Sequence, residues 1–170
     1  LSSTDSDLKI QLLGSGTILR EVIEASRLLK TYGVGSDVWS VTSFAELRRE
    51  ALDVDHWNTR HPSQKPRQSY LSSVFSQEAG PFIAASDYMK IVADQIRKWV
   101  PGSYIVLGTD GFGRSDGREA LRKFFEVDRY SILLSAIKAL VDEGKLDNSI
   151  LDKVFIDHNI DKNKTNPLNT

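Results

Sequence analysis

The sequence predicts an α/β domain of three layers, in which helices cover both faces of a mostly parallel sheet of about five strands. Short apolar runs, each long enough for one strand, alternate with longer segments whose apolar residues recur at helical spacing. Because strand–helix–strand connections place the strands parallel with right-handed crossovers, this alternation predicts a sheet that is covered on both sides. The 170 residues match the size of one domain with its own core.

Four of the strands can be located from local pattern, since each is rich in Val, Ile, Leu or aromatic residues and is bounded by turn residues. The first runs into Gly14–Ser15–Gly16, and the last runs into the glycine-rich segment 108–116. The strands are predicted at 9–13, 37–42, 82–85 and 104–107.

The helices are predicted from apolar residues at a period of 3.6 and from their start and stop signals. Ser43 and Glu46 form a capping box, and Asp128 begins a strongly amphipathic segment that Gly144 closes. Prolines interrupt the stretch 53–81, where we predict only one short helix. The predicted helices are 17–32, 43–52, 69–75, 86–100, 115–125, 128–143 and 148–157. The remaining N-caps are predicted at Ser86 or Asp87 and at Ser115 or Asp116, and the helix after 86 should bury Tyr88, Ile91, Val92, Ile96 and Trp99.

The ends of the chain are polar. Residues 1–8 are predicted to be an interdomain linker, 9–160 a single α/β domain and 161–170 a polar C-terminal tail. The chain begins with Leu1 rather than Met, and we therefore expect it to be a piece of a longer polypeptide.

Composition excludes several classes of protein. The 22 basic and 23 acidic residues give a net charge of -1, which argues against nucleic acid as a partner and gives no basic face for an anionic membrane. No apolar run approaches the ~20 residues that cross a bilayer. The absence of cysteine excludes disulfides, thiolate nucleophiles and Cys-ligated zinc.

Two local patterns are compatible with ligand binding, but each has a simpler interpretation. Gly14–Ser15–Gly16 lies between a strand and a helix, as in phosphate-binding turns, but a dinucleotide fingerprint needs a glycine where Leu19 stands. A tight βα turn is therefore the favoured explanation of the glycines. His56 and His61 are five residues apart and do not share a helical face, and His158 is distant, so hydrogen-bonded histidines are favoured over metal ligands.

The segment Gly108–Asp116, GTDGFGRSD, is the richest candidate because it follows a strand at the position where open α/β sheets bind ligands. Asp110 could act as an acid or base, and Arg114 could clamp a carboxylate. Alternatively, the glycines permit a sharp bend and Arg114 pairs with a neighbouring acid. Composition favours this structural interpretation, since ion pairs are commoner than active sites.

Several longer motifs carry a resemblance to a known family. They follow in order as QLLGSG (11–16), YGVGSDV (32–38), SVTSF (40–44), HWN (56–58), HP (61–62), GTDGFGRSD (108–116), FEVD (125–128) and the ending from Asn159 to Pro167. Together they resemble the C-terminal domain of the homodimeric, bacterial-type pyruvate dehydrogenase, the decarboxylating component of its complex. Phe112–Gly113–Arg114–Ser115 with the following helix also resembles the more distant transketolase C-terminal domain.

The resemblance implies a cytoplasmic parent enzyme that is several times longer and uses thiamine diphosphate with Mg²⁺. Such a parent decarboxylates pyruvate and reductively acetylates the lipoyl group of the dihydrolipoyl acetyltransferase. In the family, the metal ligands and catalytic groups belong to two upstream domains. No catalytic, cofactor or metal residue is therefore expected in this chain, and the Gly-Asp-Gly to Asn-Asn metal motif is missing from it.

Three functions remain open from the sequence. The first is an interaction domain that contacts the upstream domains, the second subunit and the acetyltransferase, with interface candidates Asp110, Phe112, Arg114, Asp116 and Trp57. Trp39, on a predicted strand, is assigned to the core instead. The second is a freestanding flavodoxin-like protein that binds a nucleotide or phosphate at its glycine-rich turns. The third is a small enzyme built on Asp110, Arg114 and Asp116.

Overall fold

Four parallel strands form the single sheet in a computed structural model that describes residues 8–169. The strand order is β2-β1-β3-β4. The bounds are β1 Lys9–Gly14, β2 Gly35–Ser40, β3 Phe82–Ala85 and β4 Tyr104–Leu107. The predicted fold class is confirmed, and the described strands number four rather than about five because every element after β4 is helical. The predicted linker lies outside the described residues, except for Leu8.

The register of the sheet aligns the carboxyl ends of its strands. Gly14 at the end of β1 is level with Ser40 of β2 and Ala85 of β3, and Ala85 is level with Leu107 of β4. The turns that follow the four strands therefore lie along one border, which we call the carboxyl edge. Open α/β sheets carry their functional residues at this edge.

Seven α-helices surround the sheet in the described residues, together with short 3₁₀ turns at Gly16–Ile18, Arg97–Trp99 and Pro167–Asn169. The helices are α1 Leu19–Thr31, α2 Phe44–Arg60, α3 Tyr70–Phe75, α4 Lys90–Asp94, α5 Arg118–Phe124, α6 Arg129–Asp142 and α7 Ser149–Asp157. The predicted cap holds at α2, where the Ser43 hydroxyl accepts from the Glu46 amide at 3.2 Å. It also holds at α6, where Asp128 accepts from the Ser131 amide at 2.8 Å.

One strand and two helix boundaries differ from the prediction. Strand β2 occupies Gly35–Ser40, two residues earlier than the predicted 37–42, because its register follows β1, where Lys9 pairs with Gly35. Helix α2 continues to Arg60, eight residues beyond Leu52, because its polar second half is anchored from outside: the Asp55 carboxylate accepts from Lys98 at 2.6 Å and from the Trp99 indole at 3.1 Å. Helix α5 begins after Gly117, and Asp116 accepts from the Gly117 amide rather than capping the helix.

The helix predicted after residue 86 is broken. It forms only α4 and the 3₁₀ turn Arg97–Trp99, and Tyr88 and Ile91 are exposed instead of buried. The cause is the neighbouring loop: the Tyr88 carbonyl accepts from the Thr109 amide at 2.9 Å, which draws the backbone before α4 away from a helical path. Neither Ser86 nor Asp87 is the N-cap.

The core consists of two apolar clusters, one on each face of the sheet. One face is covered by α1, α6 and α7, and the other by α2, α3 and α4. Burying a large aliphatic or aromatic side chain contributes about 1.5–3 kcal/mol. The largest fully buried side chains are Phe82, Ile10, Leu12, Leu13, Ile18, Leu29, Leu71, Ile83, Ile96, Ile132, Leu133 and Ile137.

A buried carboxylate joins three helices on the first face. Glu21 of α1 is 5% exposed, and its Oε1 accepts from Arg122 Nη1 of α5 at 2.9 Å. Its Oε2 accepts from Arg129 Nε of α6 at 2.9 Å and from the Arg129 backbone amide at 3.2 Å. Burial acts to raise the pKa of Glu21, but the hydrogen bonds and charges of Arg129 and Arg122 outweigh it and hold this pKa below its usual 4.5.

We predict that Glu21→Gln lowers the free energy of unfolding by about 1–3 kcal/mol, because a neutral amide cannot pair with the charges of Arg122 and Arg129, which are only partly buried. The matched control is Glu24→Gln on the same helix. Glu24 pairs with Arg27 at the surface, so its loss should cost less than about 1 kcal/mol. Urea unfolding measures both values, and equal losses would contradict the assigned role of Glu21.

The stability that Glu21 contributes should depend on pH. Because its folded pKa lies below its unfolded value, the contribution is complete above about pH 4.5 and is lost as the pH falls through the folded pKa. The difference in unfolding free energy between the unmodified chain and Glu21→Gln should therefore shrink in acid. Urea titrations from neutral pH downward test this, and a difference that does not change with pH would refute it.

Candidate functional site

Backbone hydrogen bonds tie the turns of the carboxyl edge to one another. The Ser15 amide donates to the Ala85 carbonyl at 3.2 Å, and the Ser86 amide donates to the Leu107 carbonyl at 3.2 Å. On the other side, the Val41 amide donates to the Gly14 carbonyl at 2.8 Å. The parallel ladder thus continues beyond the strands, so the edge is a stiff platform.

Asp110 binds the 108–116 loop to the start of α4. Its Oδ1 accepts from the Lys90 amide at 2.9 Å, which satisfies a backbone donor at the first position of that helix. Thr109 reinforces the connection, since its hydroxyl donates to the Asp87 carbonyl at 2.8 Å. The carboxylate suggested as an acid or base is therefore engaged in holding two loops together.

Two glycines of the loop are required by close packing. A Cβ at Gly108 would lie 2.6 Å from the Tyr88 carbonyl oxygen and 2.9 Å from the Lys90 nitrogen. Gly111 has a φ of +97°, and a Cβ there would lie 3.3 Å from the Pro167 carbonyl oxygen. Gly113 has no such constraint, since within residues 8–169 no atom outside Gly113 and its chain neighbours lies within 4 Å of its Cβ position. The glycines thus bring α4 and the C-terminal residues against the loop.

Lys164 holds the C-terminal segment in this place. Its ammonium donates to the carbonyls of Lys123 and Phe124, both at 2.8 Å, and pairs with Glu126 at 3.0 Å. A cation at a helix C-terminus stabilises the unpaired carbonyls of the last turn, here those of α5. The chain beyond Lys164 then reaches the loop at Gly111.

The surface of this platform is apolar. Phe112 is 84% exposed, and the side chains of the segment before and within α4 are also largely exposed. Five of the nine exposed large hydrophobic residues of the described chain lie on three segments that contact one another here. We call them the apolar patch: Tyr88, Met89, Ile91, Phe112 and Leu168. Clustered exposure of this kind marks interaction surfaces.

Arg114 and Asp116 do not converge with Asp110. The Arg114 guanidinium lies 4.4 Å from the centre of the Phe124 ring, a cation–π contact rather than the suggested ion pair. Asp116 Oδ1 accepts from the adjacent Gly117 amide at 2.6 Å. Both line a depression of about 300 Å³ with Phe124. The three residues of the small-enzyme hypothesis thus have separate, structural partners.

Trp57 lies away from the carboxyl edge and is already half-buried in a stack. The His61 ring is parallel to it at 4.3 Å, and the Arg67 guanidinium lies 3.8 Å from the centre of its ring. His61 Nδ1 lies 2.8 Å from the Trp57 carbonyl oxygen. Trp39 is partly buried against the second apolar cluster, and its indole donates to Gln11 at 2.7 Å.

The other histidines also contact neighbouring side chains. His56 accepts from Arg60 Nε at 3.0 Å. Tyr32 Oη lies 2.9 Å from both Asp157 Oδ2 and His158 Nε2, and burial together with Asp157 raises the pKa of Tyr32 to about 12. Within residues 8–169, no group of three or more His, Asp or Glu side chains could hold a metal ion.

The turn Gly14–Ser15–Gly16 is shaped by packing. A Cβ at Gly14 would lie 2.9 Å from the Leu19 Cα, so glycine permits the close approach of α1 to β1. The Asp87 carboxylate lies beside this turn, where its Oδ2 accepts from the Thr17 hydroxyl at 3.4 Å. A carboxylate at this position repels a phosphate, which disfavours the flavodoxin-like alternative.

Sequence reasoning missed Glu21, Lys164 and the exposed pair Tyr88–Met89. The partners of Glu21 and Lys164 are distant in sequence, so no local pattern marks either residue. The sequence pattern assigns Tyr88 to the apolar face of a predicted helix and assigns no role to Met89; in the structure the Tyr88 carbonyl accepts from the Thr109 amide and both side chains are exposed. In the part of the chain that the structure describes, no helix has the length and apolarity needed to span a membrane.

Comparison with known proteins places this arrangement in context. A family model described as the transketolase-like TK C-terminal domain matches residues 1–128. The chain is similar to the pyruvate dehydrogenase E1 components of Pseudomonas aeruginosa (55% identity), Cupriavidus necator (52%) and Escherichia coli K12 (50%). Each match covers 94% of this chain and 18% of the relative. The chain therefore spans about a fifth of the length of these relatives.

Solved structures agree on the fold. The inactive β4 tetramer of a split-gene transketolase superposes with a TM-score of 0.55 at 14% identity, covering 78% of this chain and 39% of that one. A transketolase from Campylobacter jejuni gives a TM-score of 0.53 at 16% identity, covering 81% of this chain and 18% of that one.

We predict that Gly108→Ala destabilises the domain by about 1–3 kcal/mol, because the new methyl group collides with backbone atoms that cannot move without breaking the edge. Gly113→Ala in the same loop is the matched control and should change stability by less than about 0.5 kcal/mol. Thermal and urea unfolding compare the two. A Gly108→Ala variant as stable as the control would show that the packing of the loop against α4 is wrong.

Proposed function

Because the chain belongs to the transketolase-like C-terminal domain family, we propose that it is the C-terminal interaction domain of a pyruvate dehydrogenase E1 component. The observation that carries the proposal is the 50–55% identity to three proteins of that name over 94% of the chain. Identity at this level over nearly the whole chain favours a shared role, whereas the resemblance to transketolase structures supports the fold alone.

The parent enzyme of the proposal decarboxylates pyruvate in the cytoplasm and reductively acetylates the lipoyl group of a dihydrolipoyl acetyltransferase. Thiamine diphosphate and Mg²⁺ supply the carbanion chemistry when bound to such an enzyme. The described residues do not fit that cofactor: they offer no cluster of metal-binding side chains, and every buried side-chain polar atom among them has a hydrogen-bond partner. We therefore derive no step of the reaction from this chain.

The role proposed for the chain is to bind other parts of the enzyme through the carboxyl edge. The apolar patch supplies the anchor, with Phe112 at its most exposed point. Large aromatic side chains that fill a pocket on a partner are the usual energetic centres of interfaces. The polar groups of the edge are already bonded to one another, so burying it in an interface leaves few donors without partners.

Arg114 and Asp116 fit the border of this interface. Arg114 keeps its charge exposed while its guanidinium packs on Phe124, which leaves its outer face for a carboxylate of a neighbouring domain or subunit. Asp116 is also exposed. Asp110 is a positioning residue for the loop, since its carboxylate binds the Lys90 amide. The occupants we propose are the upstream domains of the same chain and the second subunit of a homodimer.

We predict that Phe112→Ala and Arg114→Ala in the full-length enzyme each weaken the dimer, Phe112→Ala by about 1–2 kcal/mol, or about tenfold in dissociation constant. Sedimentation over a concentration series and a pyruvate-decarboxylation assay measure association and activity. Both should fall together if the edge supports assembly of the enzyme.

The matched controls are Ile156→Ala, which removes a 78% exposed apolar side chain from α7, and Arg27→Ala on α1. Neither should change association. If Phe112→Ala and Arg114→Ala leave dimer stability and activity as unaffected as the controls do, the carboxyl edge is not the interface.

A further inference from the structure

A second surface differs in character from the apolar patch. Between Asp55 and Glu78 the chain has no carboxylate side chain, although acidic residues are as frequent as basic ones overall. The same stretch carries three cationic side chains. We call residues 60–68, which include Arg60, Lys65 and Arg67, the basic loop.

The cations of the basic loop form no ion pair with any carboxylate of the described residues 8–169. Some exposed cations elsewhere in the described chain, such as Arg27, Lys138 and Lys145, form ion pairs with carboxylates, and others do not; the basic loop is distinct in having three such unpaired cations within eight residues and no acidic residue near them in sequence. None of the ion pairs formed within residues 8–169 involves a residue of the basic loop. Since residues 62–68 are all exposed, the loop presents positive charge to its surroundings.

The basic loop has a defined shape despite its lack of regular structure. The Asn58 side chain closes it by donating to the Arg67 carbonyl at 2.9 Å and accepting from the Arg67 amide at 2.8 Å. Arg67 and His61 both stack on Trp57. At the far end, Glu50 accepts from the Tyr70 amide at 3.1 Å. A loop ordered before binding loses little conformational entropy when it binds.

These contacts also orient the charges. The stack on Trp57 fixes the plane of the Arg67 guanidinium, which can bind a carboxylate through two parallel hydrogen bonds. Tyr70, 60% exposed, adds an aromatic surface beside the charges. The loop follows the end of α2 that lies away from the carboxyl edge: Asp55 in this half of α2 contacts Lys98 and Trp99 of the 3₁₀ turn that precedes β4.

We propose that the basic loop is a docking surface for an acidic segment of a separate polypeptide. Charge complementarity carries the choice of partner: the surface offers cations in a fixed arrangement, two of them with guanidinium geometry that suits carboxylates. A nucleic acid fits less well, since the domain as a whole has a net charge of -1 and would repel a long polyanion beyond the loop. The surface is independent of the interface proposed above.

The test is binding of a labelled peptide of about twelve residues that alternates Glu and Gly, with a Gln–Gly peptide for comparison. The full 170-residue chain is used, and amide NMR spectra report both its folding and the site of contact. We expect shifts at residues 58–70, no binding of the Gln–Gly peptide, and a loss of at least tenfold in affinity between about 20 mM and 300 mM salt.

Variants locate the effect. The triple variant R60Q/K65Q/R67Q should bind the acidic peptide about tenfold more weakly. The triple variant R27Q/K138Q/K145Q loses the same charge elsewhere and should bind within about twofold of the unmodified chain. Arg67→Lys keeps the charge but loses the stacked guanidinium, so it should bind about threefold more weakly.

Three results would overturn the proposal. The first is an absence of peptide binding at low salt. The second is an equal loss of affinity in the two triple variants, which would reduce the effect to net charge. The third is tighter binding of a thymidine oligonucleotide of the same length, which would assign the loop to nucleic acid. None of these results bears on the carboxyl edge, so the two proposals fail separately.

Discussion

The ion pairs of Glu21 are the constraint on which the shape of the functional edge depends. The chain leaves the sheet at β4 and returns to it at α6, and the loop and helix between them have few apolar contacts with the core. Glu21 attaches the C-terminal end of this segment to the core: it forms ion pairs with Arg122 near the end of α5 and with Arg129 at the start of α6. The buried carboxylate of Glu21 accepts hydrogen bonds from both arginines, and these bonds together fix the positions of α5 and α6 relative to α1. The 108–116 loop is thus fixed by Asp110 at one end and by Glu21 beyond the other.

A platform held in this way suits the proposed role in recognition better than it suits catalysis. A catalytic site needs titratable groups that converge on one point and remain free to exchange protons. Here Asp110 is held by a backbone amide and Asp116 by another, while the Arg114 guanidinium packs on Phe124. The polar groups of the loop form contacts within the domain, and the most exposed large hydrophobic side chain of the described residues is that of Phe112. The loop that looks like an active site in sequence presents an exposed aromatic side chain, Phe112, bordered by the charged side chains of Arg114 and Asp116.

The parts of the fold that follow from the sequence are those set by local interactions. The strands 82–85 and 104–107, the cap at Ser43 and the start at Asp128 were predictable because each depends on neighbouring residues alone. The second half of α2 was not, since its polar residues make their contacts outside the helix, among them those of Asp55 with Lys98 and Trp99, more than forty residues away. The same holds for Glu21, which resembles any surface glutamate in sequence because its arginines lie about a hundred residues later. The loop residues Asp110, Phe112, Arg114 and Asp116 could be selected from composition, but their separate roles required the packing around them.

The two proposed surfaces use different physical forces, and this difference has a consequence for assembly. Association through the apolar patch depends on burial of nonpolar area and responds weakly to salt. Association through the basic loop depends on charge, so it is fast, reversible and weakened by screening. A domain that combines the two can remain attached to its own enzyme through one surface while exchanging a mobile acidic partner at the other. The two proposed surfaces share no residue, so binding at one leaves the side chains of the other exposed.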